Sequence, residues 1–107
     1  MRPPEILQRC TGFDWDEGNR DKNWAKHGVS DSEAEQVFFN RPVVIAADPQ
    51  HSGAERRFLV LGCTDAGRRL FIAFTVRRDM VRVISARDMT RKEVQGYERH
   101  AKRNPGL

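Results

Sequence analysis

The chain predicts an α+β fold: two N-terminal helices, a four-stranded and mostly antiparallel sheet, then a C-terminal helix. Three observations carry this. The hydrophobic period changes from helical spacing before Asn40 to alternation after Pro42. The strand-like segments follow one another across short turns, with no helix between them, which favours an antiparallel meander over a parallel sheet. Two capping boxes, Ser30 with Glu33 and Thr90 with Glu93, open the helices on either side of the strands.

In chain order, residues 1–12 form a lead-in, with Pro3 and Pro4 early. A single domain spans 13–103, and 104–107 are a tail. Phe13-Asp14-Trp15 reads as a short extended piece anchored by its aromatics. Asp16 is a plausible N-cap for a helix running to about His27. On that helix Asn19, Asn23 and His27 share one stripe, and Lys22 and Lys26 another. Trp24 is the one large apolar residue there, so it marks the buried face. Gly28 suits the left-handed end of that helix, and Ser30 caps the next, from Asp31 to Phe39. Ala34, Val37 and Phe38 form the buried side of the second helix.

Strands are expected at Val43–Ala47, Arg57–Cys63, Arg69–Val76 and Met80–Arg87. Both faces of Arg69–Val76 are largely apolar, which suits a central strand. In a regular strand Arg82 and Arg87 would fall on opposite faces. An arginine among Met80, Ile84 and Ala86 is costly unless a carboxylate or an anionic ligand meets it. The last helix runs to about Ala101, with Val94, Tyr97 and Ala101 on one side.

With 107 residues, 38% hydrophobic and 32% charged, the chain fits a folded domain with one core rather than a disordered segment. No apolar run approaches the ~20 residues that span a bilayer, and no secretory signal is evident. Cys10 and Cys63 have neither disulfide-framework nor metal-ligand spacing, so a reducing cytoplasm is the expected location. The net charge is +4 and unevenly spread: arginines 68, 69, 77, 78, 82, 87 and 91 face only Asp79 and Asp88 in the same stretch. A basic half of this kind points to nucleic acid or an acidic protein segment as partner, against a plain solvated surface.

His27 can donate or accept a proton near neutral pH, but a histidine at a helix C-terminus is also favoured there by the helix dipole. Lys26 beside it would stabilise charge developing on a phosphate. Glu55 is either a general base or an ion-pair partner of Arg57 or Arg82. Planar guanidinium groups at Arg82 and Arg87 suit bidentate phosphate binding without a metal. Asp48 and His51 could serve a metal hydrolase only with a further ligand such as His27, and the spacing is weak for it. No phosphate-binding glycine loop, nucleophile elbow or dinucleotide fingerprint is present. No cofactor or metal is therefore expected.

Taken in order, Phe13-Asp14-Trp15-Asp16, Asn23, Lys26-His27-Gly28-Val29-Ser30, Glu33-Ala34, Val37-Phe38, Glu55-Arg56-Arg57-Phe58 and Arg82-Val83-Ile84-Ser85-Ala86-Arg87 resemble the BrnT family of type II toxins. The resemblance covers roughly residues 13–98. It implies a RelE-like fold, a ribonuclease that inhibits translation, and a BrnA-type ribbon-helix-helix antitoxin that neutralises the toxin. Operator DNA would be met only through the antitoxin complex. Under it, His27 or Glu55 would transfer protons, while Lys26, Arg57, Arg82 and Arg87 would hold the phosphate. The alternative is a non-catalytic basic module that binds an antitoxin or nucleic acid. The chain departs from the family pattern in its basic end (Arg99, Lys102, Arg103) and in Asn19 or Arg20, where many members carry lysine.

Overall fold

The computed structural model describes residues 5–104. It is a five-stranded sheet with helices on one face, along one edge and across one end of the other face. The strands are β1 (Gly12–Phe13), β2 (Val44–Ala47), β3 (Arg57–Cys63), β4 (Arg69–Arg77) and β5 (Met80–Asp88). The helical segments are α1 (Glu5–Gln8), α2 (Lys22–His27), α3 (Asp31–Phe39) and α4 (Arg91–Arg103). Strand order is β1-β5-β4-β3-β2. The four strands from β2 to β5 form the expected antiparallel meander, with β4 at the centre.

Two elements lie outside the expected set. The single turn α1 falls in the lead-in, and β1 pairs in parallel with β5 through Gly12–Met80 and Phe13–Val81. Both are too short to show a period, and tertiary contact makes them. Phe13 stacks edge-on against Phe38, which meets Phe74, which in turn stacks on Phe58; successive centroids lie 5.4, 5.0 and 5.5 Å apart. Trp15 donates its indole N–H to Glu35 at 2.8 Å. The expectations for residues 1–4 and for the last three residues lie outside the described residues.

The core is the sheet face carrying Phe58, Val60, Leu70, Ile72, Phe74, Val81, Val83 and Ala86, closed by Val29, Ala34 and Val37. Each large side chain buried this way contributes roughly 1.5–3 kcal/mol. The helix starts behave as the sequence predicts. Ser30 Oγ accepts from the Glu33 N–H at 3.1 Å while the Ser30 N–H donates to Glu33 at 3.0 Å, and Thr90 and Glu93 repeat the exchange. Where α3 crosses β3 the backbones come close. A Cβ on Gly62 would lie 2.7 Å from Val37 Cγ1, so only a hydrogen fits. Across the other face, α4 is tied by the Tyr97 hydroxyl, which donates to the Pro42 carbonyl at 2.6 Å, and by an Arg69–Glu98 ion pair.

The first expected helix is the largest revision. Asp16 does not cap it. Residues 17–21 are turns, Asp21 takes a left-handed φ of 61°, and the helix proper starts at Lys22. Nor does Trp24 mark the buried face, since it is 63% exposed whereas Asn23 is buried. The reason lies in β5. After Val81 its outer edge has no strand partner, so its backbone groups need polar ones. Asn19 Nδ2 donates to the Val83 carbonyl at 3.0 Å, and Asn23 Oδ1 accepts from the Ala86 N–H at 2.9 Å. The asparagine stripe therefore seals the sheet edge, and an apolar side chain could not.

Candidate functional site

The sheet face opposite the core is polar along one side, and a bulge decides which residues reach it. On β4, Ala73 pairs with Ser85 but Phe74 pairs with Val83, so Ile84 is an extra residue in β5. One inserted residue reverses the alternation beyond it. Arg82, opposite Thr75, and Arg87, opposite Phe71, consequently share one face instead of the opposite faces that five regular steps would give. Arg57 also stands opposite Thr75, on the other flank of β4, and joins them there. Thr75 and Phe71 are four residues apart, so the two β5 arginines stand about 13 Å from each other along the strand.

Each of these arginines has a distinct environment. Arg82, its side chain mostly covered, forms two hydrogen bonds to Asp16 at 2.8 and 3.0 Å and lies 3.5 Å from Asp14. These bonds hold the Asp16 carboxyl below its ordinary range and push the guanidinium upward. Arg87 pairs with Glu93 at 2.8 Å and lies over the Phe71 ring at 4.1 Å, so it joins β5 to the start of α4. Arg57 is different: its Nε is buried and has no hydrogen-bond partner.

Glu55 sits just before β3 and is held by Arg77, not by Arg57 or Arg82. The two bonds measure 2.6 and 2.7 Å, and they lower the Glu55 carboxyl below its usual value. Glu55, Arg57, Arg77 and Arg82 thus gather at one end of the face with Asp14 and Asp16. Arg77 is not among the residues that the sequence marks for the site. Its alternation with Thr75, visible in the strand pattern, is the signal that places it on this face.

Lys26 and His27 lie elsewhere, at the end of α2 beside the far end of β5. Lys26 is exposed and His27 half-buried. Hydrogen bonds from Arg68, and then the positive form of His27, lower the Asp88 carboxyl. Arg68 organises this corner. It donates to the carbonyls of Gly28 (2.8 Å) and His27 (3.2 Å), to Glu33 (3.2 Å) and to Asp88 (2.7 and 3.0 Å). The helix–turn–cap joint around Gly28, whose φ is 64°, is thereby fastened to the β3–β4 turn and to the end of β5.

Asp48 and His51 contact each other directly. His51 Nδ1 lies 3.0 and 2.9 Å from the two Asp48 oxygens. Among the described residues no group of three His, Cys, Asp or Glu side chains is placed to hold a metal ion. His51 faces a cleft of about 260 Å³ that it shares with Glu55, Arg57, Thr75 and Ile84.

Fold and site together define a small α+β domain whose half-open sheet face carries a row of arginines. Residues 15–93 match the family model described as "Ribonuclease toxin, BrnT, of type II toxin-antitoxin system", and the chain belongs to that family. Membership brings a ribonuclease activity at the level of the family, an RNA target and an antitoxin partner. A similar solved structure is that of the Brucella abortus ribonuclease toxin BrnT, with a TM-score of 0.53 and 23% identity, over 75% of this chain and 97% of that one. At that identity the likeness is one of fold. No curated protein sequence matches the chain. No helix among the described residues is long and apolar enough to cross a membrane.

Proposed function

We propose that this chain is an active endoribonuclease toxin that cleaves RNA without a metal, inhibits translation in the cytoplasm, and is neutralised by a BrnA-type ribbon-helix-helix antitoxin. RelE-like kinship of the fold, and operator binding through the antitoxin complex, belong to the same reading. The observation that supports it best is the bulge at Ile84, because it gathers Arg57, Arg82 and Arg87 on one accessible sheet face. Guanidinium groups spaced along a strand suit consecutive phosphates, and a guanidinium can stabilise the charge that builds on phosphorus as the 2′-oxygen attacks. Lys26 and His27 would meet the RNA at the far end of β5. Glu55, held as an ion by Arg77, suits positioning of the arginines better than proton abstraction.

A second reading has its own support. Arg77, Arg82 and Arg87 each already bind a carboxylate, as the arginines of a non-catalytic module would bind an acidic antitoxin segment. RNA incubated with the purified chain in EDTA separates the two. The ribonuclease reading requires 2′,3′-cyclic phosphate ends, and replacement of Arg57 or Arg82 by alanine should slow their formation about 100-fold. Tight antitoxin binding with no RNA product at any protein concentration would leave the binding module.

A further inference from the structure

We infer that His51 is the general base of the RNA cleavage, held for that task by Asp48 in the cleft it shares with Arg57. The inference rests on the ribonuclease reading above and assigns to that reaction a residue outside the Lys26–His27 pair.

The first ground is the dyad. Asp48 is only 8% exposed, and both of its oxygens lie against His51 Nδ1. An ionised carboxylate can only accept hydrogen bonds, so Nδ1 carries the hydrogen. The lone pair of the neutral imidazole is then on Nε2, on the opposite side of the ring, and the His51 side chain is 62% exposed. A buried acid that orients an accessible histidine is the arrangement general-base catalysis needs.

The second ground is the mount. Asp48 and Ser52, which flank the turn Pro49–His51, are tied to the start of β3 by two hydrogen bonds and to each other by a third. The Asp48 N–H donates to the Arg57 carbonyl at 2.8 Å, Ser52 Oγ donates to the Asp48 carbonyl at 2.8 Å, and the Arg57 N–H donates to Ser52 Oγ at 2.9 Å. Dyad and arginine are thus held as one unit, although His51 and Arg57 belong to different elements of the chain.

The third ground is the cleft. Arg57 lines it, and a planar guanidinium there suits binding of a phosphate oxygen. The charged groups that meet or share the cleft with His51 are Asp48 on its own turn and Glu55 and Arg57 at the start of β3. Glu55, the other carboxylate lining the cleft, is occupied by Arg77.

In the step itself, His51 Nε2 takes the proton of a ribose 2′-hydroxyl as the 2′-oxygen bonds to the adjacent phosphorus. The bond from phosphorus to the 5′-oxygen of the next nucleotide breaks, and that oxygen takes a proton from water. His51 returns its proton to solvent. The products are a 2′,3′-cyclic phosphate and a 5′-hydroxyl end.

The test uses the full chain and a defined single-stranded RNA in EDTA, across a pH series. His51→Asn should lower kcat at least ~100-fold with little change in KM, and should remove the acid limb of the pH–rate profile. Asp48→Asn should lower kcat less, again with little change in KM, because the histidine loses the group that orients it. Arg57→Ala should slow cleavage about 100-fold by removing the phosphate site. Thermal melts accompany each variant to confirm folding. If His51→Asn keeps wild-type kcat and acid limb while Arg57→Ala is slowed, the ribonuclease reading stands and this assignment falls. The assignment falls equally if His27→Asn, rather than His51→Asn, erases the limb. Cleavage lost in EDTA and restored by a divalent cation overturns the base role in favour of a metal. A wild-type chain that cleaves no RNA overturns the ribonuclease reading, and this assignment with it.

Discussion

Replacing Asn23 by alanine tests the idea that α2 is held as a substitute strand on the edge of β5. Asn23 is 5% exposed and Ala86 fully buried, and the bond between Asn23 Oδ1 and the Ala86 N–H measures 2.9 Å. Truncation leaves that N–H without an acceptor in a place water reaches poorly. A buried donor left unmade costs about 1–3 kcal/mol, and the six-residue α2 has little helical stability of its own with which to compensate. We expect a loss of about 2 kcal/mol by urea denaturation, with the m-value unchanged. For a domain of this size that corresponds to a melting temperature roughly 10 °C lower. Native-state hydrogen exchange adds the local readout, since the Ala86 amide should lose protection ahead of the Ile72 amide on central β4. A variant within about 0.3 kcal/mol of wild type, with Ala86 still protected, would show that α2 is docked by something else; the predicted effect is several times larger than that.

Three further outcomes follow from the packing and charge. Gly62→Ala drives a methyl into Val37 Cγ1 at 2.7 Å and should cost about 1–3 kcal/mol; a double-mutant cycle with Val37→Ala should recover part of it, and strict additivity would refute the contact. Gly28→Ala meets open space but keeps a φ of 64°, so equilibrium unfolding should register only a backbone cost of about 1–2 kcal/mol. The Glu33 carboxyl is lowered by the Ser30 N–H and then by Arg68, and the Asp88 carboxyl by Arg68 first; their ordinary values are 4.5 and 3.8. Because the folded values are depressed, the contribution is present above those ordinary values and fades as pH falls through the folded ones. The stability gap between wild type and Arg68→Gln should therefore narrow in acid, and a gap independent of pH would remove the ion pairs from the account.

What the sequence shows plainly is what local chemistry decides. The Ser30–Glu33 and Thr90–Glu93 boxes need only residues three apart, and both helix starts follow from them. The apolar faces of Arg69–Val76 announce a central strand because burial on both sides leaves that composition. By contrast, the bulge at Ile84 depends on how β4 and β5 align, and β5 alone reads as an ordinary alternation. Trp24 misleads because a helix on a sheet edge is selected for polar partners rather than apolar area. At the site, Arg82 does meet the partner that its apolar neighbours demanded, but Asp14 and Asp16 lie far back in the chain and nothing in the spacing names them. Asp48 and His51 are separated by the right distance to be noticed. Their spacing suggests ligands to a shared ion, and only the folded turn reveals a hydrogen bond between them.

The bulge also governs how the gene for this strand can change length. Ile84 is the residue that β4 leaves unmatched, so its loss would keep Val83 against Phe74 and Ser85 against Ala73. The shortened strand would alternate without interruption, with Val81, Val83 and Ala86 turned to the core and Arg82, Ser85 and Arg87 away from it. The bulge is therefore a reserve of one residue: a single deletion here straightens the strand without turning any arginine over. The same loss near the middle of β4 or β3, where every residue has a partner, has no such slack and would carry the rest of that strand to the wrong face. Of the three long strands, the one that carries Arg82 and Arg87 is the one whose length can drift.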